Sequence, residues 1–336
     1  MINYARHPNM MAYLRNLTKS RLCNKYVLTK ISKLIFVMIM TWSKLTLAGE
    51  SVIVPMDLSS WDYKGNQLEC RLIHTDIPYG KFYFRAETDN RLFFISEVKD
   101  GDEKWNSASL QTQSAPWNGE LITNLLASQT APEATRRFEF VKGSELLLDG
   151  ITKGKWVTLS LMGSDASSLS ELTLPTIQIQ PALASFKACR ERLPKLSFSQ
   201  ARDLVLPFQF GQKTLTPSQL ETIAALYSYV SADNRVTKIL VDGHTDNVGS
   251  DVVNLTISRQ RAEQVAKALV GKGIDANLIE VRAHGSRYPI ASNNTSAGQM
   301  KNRRVTLRLV RDNERVIAKN HKELKQHTQQ KKVKVQ

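Results

Sequence analysis

Residues 241–262 read VDGHTDNVGSDVVNLTISRQRA, and forty residues further on comes Asn302-Arg303-Arg304-Val305. The run at 238–243, KILVDG, has the composition of a buried strand. Beyond it lies a loop that holds Asp246 between Gly243 and Gly249. Glycines there let the backbone turn sharply and let a ligand come close. A helix is expected from Asn254 to about Lys272, with Val265, Ala266 and Leu269 toward a core and Gly273 as its stop. Asn254, at that start, suits an N-cap. Asn254 and Arg261 are seven residues apart and so share one helical face, two turns from each other. The loop carries Asp246 back over this face. An acid and a guanidinium held close together suit the ammonium and carboxylate of an amino-acid terminus, the carboxylate gripped bidentately. Two plainer readings stay open. Asp246 serves only its own loop by accepting backbone N–H groups, or Arg261 only pairs with it. His244-x-Asp246 has no second cluster of ligands nearby, so neither a metal nor a cofactor is expected.

Outward from this stretch the pattern alternates strand and helix. Residues 203–208 (DLVLPF), 279–283 (IEVRA) and 304–309 (RVTLRL) read as further strands. Thr216-Pro217-Ser218-Gln219 combines an N-cap threonine, proline at the first helical position and glutamine three after the cap. The stripe Leu220, Ile223, Ala224, Tyr227, Val230 follows. Residues 200–311 thus predict an α/β domain, a sheet covered by helices on one face.

Residues 49–195 read as mainly β, a sandwich or small barrel. Short runs at 81–86, 91–96, 137–141 and 156–161 alternate in polarity. Turn residues lie between them: Tyr79-Gly80, Asp89-Asn90, Asp100-Gly101 and Asp149-Gly150. A short helix from Phe186 to Leu193, with Cys189 inside, closes this region.

The net charge of +15 is misleading until it is located. Residues 1–48 hold eight Lys/Arg and no acid, and residues 311–336 hold eight Lys/Arg and three acids. What remains for residues 49–310 is about +2. A nucleic-acid partner needs a basic face on the folded part and loses its support. At the N-terminal end Lys25, Lys30 and Lys33 precede the apolar run LIFVMIMTW (34–42), and Thr46-Leu47-Ala48 offers a cleavage site. Residues 1–48 therefore read as an export signal with an upstream extension; the alternative is an uncleaved anchor. Residues 312–336 read as a solvated basic tail. Cleavage removes Cys23 and leaves Cys70 and Cys189. Two cysteines in an exported chain suggest one disulfide, the alternative being two buried thiols.

At these residues the chain resembles a known family. Gly243-His244-Thr245-Asp246, Asn254 through Ile257-Ser258 to Arg261-Ala262, Pro289-Ile290 and Asn302-Arg303-Arg304-Val305 are similar to the OmpA-like peptidoglycan-binding domain. The resemblance implies a mixed sheet with helices on one face and a ligand, the diaminopimelate of the peptidoglycan stem peptide. It implies that Asp246 and Arg261 grip that ligand, with Thr245, Asn254, Leu255 and Arg303 as secondary contacts or supports. Ala283-His284-Gly285-Ser286 stands where the family has Gly-x-Gly-Glu, and Ile257 where it has Leu. Residues 68–74 (LECRLIH), Ala115-Pro116-Trp117 and Cys189 resemble the front domain of the MotY family of flagellar motor proteins. That resemblance implies a Cys70–Cys189 disulfide and a non-catalytic protein of the periplasm. It implies association with the flagellar basal body and a MotX-like partner, and stator proteins as indirect partners.

Two other readings are weighed. An outer-membrane protein with the same rear domain needs a front half of long lipid-facing strands, yet charged segments such as KDGDEK (99–104) interrupt short runs. A wall-modifying enzyme needs a nucleophile or metal cluster in residues 49–195, where His74 is the single histidine.

Overall fold

A computed structural model describes residues 49–163 and 169–312. The readings of residues 1–48 as an export signal and of 313–336 as a basic tail lie outside the described residues.

The front region is built on polarity alternation. Along β4 (Gly80–Glu87) every second residue is buried, among them Phe82, Phe84 and Ala86. Its hairpin partner β5 (Arg91–Val98) buries Phe94 from the facing position. Asp89 and Asn90 make the turn between them at positive φ, a conformation these two side chains tolerate. The hairpin joins β2 (Trp61–Gly65), β3 (Glu69–His74) and β8 (Arg137–Phe140) in a five-stranded sheet of order β2-β3-β4-β5-β8. A second five-stranded sheet comprises β1 (Glu50–Ile53), β6 (Trp105–Gln113), β7 (Thr123–Thr135), β9 (Trp156–Gly163) and β10 (Leu169–Leu174), in the order β1-β10-β9-β6-β7. Both sheets turn their apolar faces into one core, where Phe82, Phe84, Phe94, Trp105 and Leu159 are fully buried. Each such side chain contributes on the order of 1.5–3 kcal/mol. This is a sandwich. A membrane barrel is a single closed sheet with its apolar band outward.

Two helices complete the region, α1 (Ser144–Thr152) and α2 (Gln180–Arg192). The sequence reading placed a turn at Asp149-Gly150, and the structure corrects it: both lie inside α1. A Cβ at Gly150 would stand 2.8 Å from the Thr112 methyl, so glycine here lets the helix sit down on β6. Cys189 of α2 is bonded to Cys70 of β3 across 119 positions of sequence. Closing such a loop restricts the unfolded chain by about 4–5 kcal/mol in the chain-entropy account. His74 is fully buried, with Nε2 on the Ser59 hydroxyl at 2.9 Å and Nδ1 on the Thr75 carbonyl at 2.9 Å. It is a satisfied core histidine.

In the rear region the four-stranded sheet has the order β11-β14-β12-β13, from β11 (Asp203–Pro207), β12 (Val236–His244), β13 (Ile279–Gly285) and β14 (Arg304–Arg311). β12 and β13 run parallel and the other pairs antiparallel, so the sheet is mixed. After the single-turn α3 (Phe198–Ala201) come α4 (Pro217–Val230) and α5 (Asp251–Lys272), which supply the other wall of its core. The capping box expected at α4 is formed: Gln219 Oε1 accepts from Thr216 N at 2.8 Å while Thr216 Oγ1 accepts from Gln219 N. A short α6 (Ser296–Asn302) precedes β14.

The two regions touch. Leu68 of the front packs against the rear core. Gln200 Nε2 donates to Asp89 Oδ2 at 2.8 Å, while within the front region Asp89 N donates to Pro194 O at 2.9 Å.

Candidate functional site: a charged cleft beyond β12

The site begins with how closely α5 lies on β12. A Cβ at Gly243 would stand 2.0 Å from Ser258 O, so only glycine allows the helix this near. The sequence reading gave that glycine to an approaching ligand; the structure gives it to helix packing. Gly249, at φ 95°, makes the sharp turn of the loop.

The helix start also differs from expectation. α5 begins at Asp251, and Ser250 is its N-cap, accepting from Val253 N. Ser250 has the extended backbone that a cap requires, and its hydroxyl satisfies one of the first free N–H groups. Asn254 lies one turn inside, is buried, and its Nδ2 has no hydrogen-bond partner among the described residues. It is available to a ligand, not spent on a cap.

Thr245, Asp246, Asn254, Arg261 and Arg303 come together on one cleft of about 510 Å³. Leu255 is outside its lining and partly exposed on the same helix. The charges pair differently from the simple expectation. Asp246, 4% exposed, accepts from Arg303 Nη1 at 2.6 Å, and its other oxygen accepts from Val248 N at 3.2 Å. Arg261, 5% exposed, has no carboxylate bonded to it among the described residues. Its Nη2 donates to Gln209 O at 3.3 Å and its guanidinium lies 5.1 Å from the Phe208 ring centroid. Nε and Nη1 have no partner among the described residues. Burial, then the neighbouring Arg303, push its pKa down, and Asp246 pushes it back up. A guanidinium remains charged in a protein regardless.

Two guanidinium groups against one carboxylate leave the cleft with an uncompensated positive charge. Unpartnered buried donors are costly, and a ligand anion would satisfy them. Thr245 Oγ1 and Asn254 Nδ2 are unpartnered beside them. The Asp246 carboxylate, with about four acceptor positions and two of them used, retains room for an ammonium. The arrangement fits a small zwitterion.

The motif at 302–304 divides its labour. Asn302 Oδ1 accepts from Ile290 N and Ala291 N at 2.8 and 3.1 Å, and its amide donates to Ala291 O. Arg304 holds Tyr288 O at 3.0 Å. Both brace the loop that contains Pro289-Ile290, and only Arg303 faces the cleft. His244 stacks on His284, with ring centroids 4.9 Å apart. Burial, first, and nearby Arg304 lower the His244 pKa to about 4. Asp242 bonds both Arg282, through two 2.6 Å contacts, and His284.

Residues 210–213 and Gln264 form part of the cleft that sequence reasoning missed. Gln264 Nε2 donates to Lys213 O and fastens that loop to α5. A signal existed: Gln264 is three residues after Arg261 and so on the same helical face.

Residues 207–303 match the OmpA family, and residues 53–194 match the MotY N-terminal domain family. The chain is 25% identical to the sodium-type flagellar protein MotY of Vibrio parahaemolyticus over 86% of its own length and 99% of that protein. The peptidoglycan-binding protein ArfA of Mycobacterium tuberculosis is 40% identical over 30% of this chain and 31% of its own. The periplasmic domain of Helicobacter pylori MotB superposes with a TM-score of 0.31 and 25% identity, over 37% of this chain and 85% of that one. The chain is therefore MotY-like, a MotY-type front domain carrying an OmpA-family domain behind it.

Proposed function

We propose that the rear cleft holds peptidoglycan noncovalently, through the zwitterionic end of the diaminopimelate in a stem peptide. Arg261 takes the carboxylate and Asp246, steadied by Arg303, takes the ammonium. The observation that carries this reading is the buried Arg261, with two guanidinium nitrogens unpartnered beside the Asp246–Arg303 pair. The likeness to a peptidoglycan-binding protein over this same domain supports it.

The front domain, on this proposal, docks on the flagellar basal body together with a MotX-like partner, in the periplasm. The chain then fixes stator units to the wall while catalysing nothing. A ring of copies holds firmly although each wall contact is weak, because linked contacts act at high effective concentration. Soaking the protein with a stem-peptide fragment tests the cleft directly. Density between Arg261 and Asp246 is the expected result; an empty cleft at saturating fragment refutes it. Deleting the gene is expected to abolish swimming while flagella still assemble.

A further inference from the structure

The cleft beyond β12 is larger and more positive than one amino-acid end requires. Its volume of about 510 Å³ is that of a pocket for a drug-sized molecule. Its lining holds three cations, Lys213, Arg261 and Arg303, against the single acid Asp246. A zwitterion carries no net charge. It satisfies Arg261 and Asp246 and leaves the excess of two positive charges as it was. Part of that excess sits in the outer lining. Lys213 is exposed in the loop between β11 and α4 and makes no ion pair among the described residues. Gln264 is one turn beyond Arg261 on the same face of α5, about 5 Å along the axis. Its Nε2 donates to Lys213 O, and a carbonyl accepts only, so this contact fixes which way the amide points. The amide oxygen, Oε1, is buried and has no hydrogen-bond partner among the described residues. A buried acceptor without a donor is costly until something supplies one. An unanswered cation and an unanswered acceptor therefore belong to two residues in contact.

We propose that Lys213 and Gln264 form a second subsite of this cleft, which takes a further carboxylate of the stem peptide and a peptide N–H beside it. Lys213 pairs with the carboxylate, and Gln264 Oε1 accepts from the N–H. The inference rests on the peptidoglycan reading above and extends it from the end of one diamino acid to the peptide that carries it. Such a peptide offers two carboxylates besides the gripped one, on its isoglutamate residue and at its free C-terminus. Either answers the positive excess that the zwitterion leaves. The glycan strand fits this part of the cleft poorly, because its hydroxyl and N-acetyl groups are neutral and leave the excess in place.

The test measures, by titration calorimetry, the affinity of the full chain for a stem tetrapeptide, alanyl-isoglutamyl-diaminopimelyl-alanine. Three forms serve as probes: the free acid, the C-terminal amide, and the form with isoglutamine in place of isoglutamate. At least one amidated form is expected to bind the wild-type chain about fivefold more weakly than the acid, the upper range for an exposed ion pair. The form that loses affinity names the carboxylate. In Lys213→Met that preference is expected to vanish. Equal affinity of the wild-type chain for all three forms overturns the subsite and leaves the grip of Arg261 and Asp246 standing. So does a preference that survives in Lys213→Met. Failure of every form to bind the wild-type chain removes both readings. Gln264→Met is expected to weaken all three forms alike and to keep the preference, because an acceptor for an N–H does not read the carboxylate. Unchanged affinity in this variant, or loss of the preference, overturns the role given to Oε1.

Discussion

Arg261 and Arg303 are the same residue type in the same cleft, yet their environments assign them different work. Arg303 neutralises a buried carboxylate, so Arg303→Ala leaves Asp246 buried without its hydrogen-bonded cation. That change is expected to cost about 3–5 kcal/mol of stability, read as a fall in the chemical-denaturation midpoint. Arg261 has no such partner, so Arg261→Ala is expected to leave the melting temperature unchanged or higher. Its effect falls on binding: pull-down by purified peptidoglycan weakens by about 2 kcal/mol or more, roughly thirtyfold. Equal loss of stability in both variants would contradict this division. His244 adds a pH dependence. It is buried and neutral, with His284 stacked on it and Arg304, Arg282 and Asp242 near, and its folded pKa of about 4 lies below the ordinary 6.5. The unfolded chain takes up the proton first as pH falls. Stability is therefore full above about pH 6.5 and declines toward pH 4, by on the order of 3 kcal/mol. Unfolding curves of His244→Gln at pH 7 and pH 4.5 are expected to lack this share of the decline.

Among the elements, the start of α5 makes the sharpest contrast between pattern and structure. Two residues there are good caps, and the more strategic-looking one is not the cap. Ser250→Ala is expected to cost about 1 kcal/mol of stability. Asn254→Ala is expected to leave stability nearly intact and weaken peptidoglycan binding, because its Nδ2 makes no hydrogen bond among the described residues. The strand β4 and the helices α4 and α5 were legible because a single face of each is buried, which imposes period 2 or 3.6 on the residues, whereas β5 and β9 bury runs of consecutive residues and were legible as short apolar runs between turns. β7 was not legible, since an edge strand with mostly exposed residues has no such period to show. α1 was hidden for the opposite reason: its glycine is there to fit against β6, and out of context the same residue reads as a turn. In the cleft, the residue types pointed to the candidate residues, but not to their partners. Nothing in the spacing says that Asp246 reaches Arg303 across 57 positions of sequence instead of Arg261.

For the whole molecule, the disulfide and the contacts around Asp89 decide how the parts act together. Cys70→Ser is expected to lower stability by about 4 kcal/mol and reduce the abundance of the exported protein, as measured by immunoblot of the periplasmic fraction. Deleting residues 200–311 is expected to leave basal-body association largely in place while impairing swimming. Lost association would transfer the docking role to the rear domain.

The position of that sulfur bridge has a mechanical consequence. On the proposed function, a pull between wall and motor would cross from one half of the protein to the other through the backbone near Pro194, five residues beyond Cys189. Without the bridge, tension there would peel α2 away turn by turn. With it, the strain stops at Cys189 and passes through a covalent bond into β3, which is flanked by strands on both sides and shares the load across the sheet.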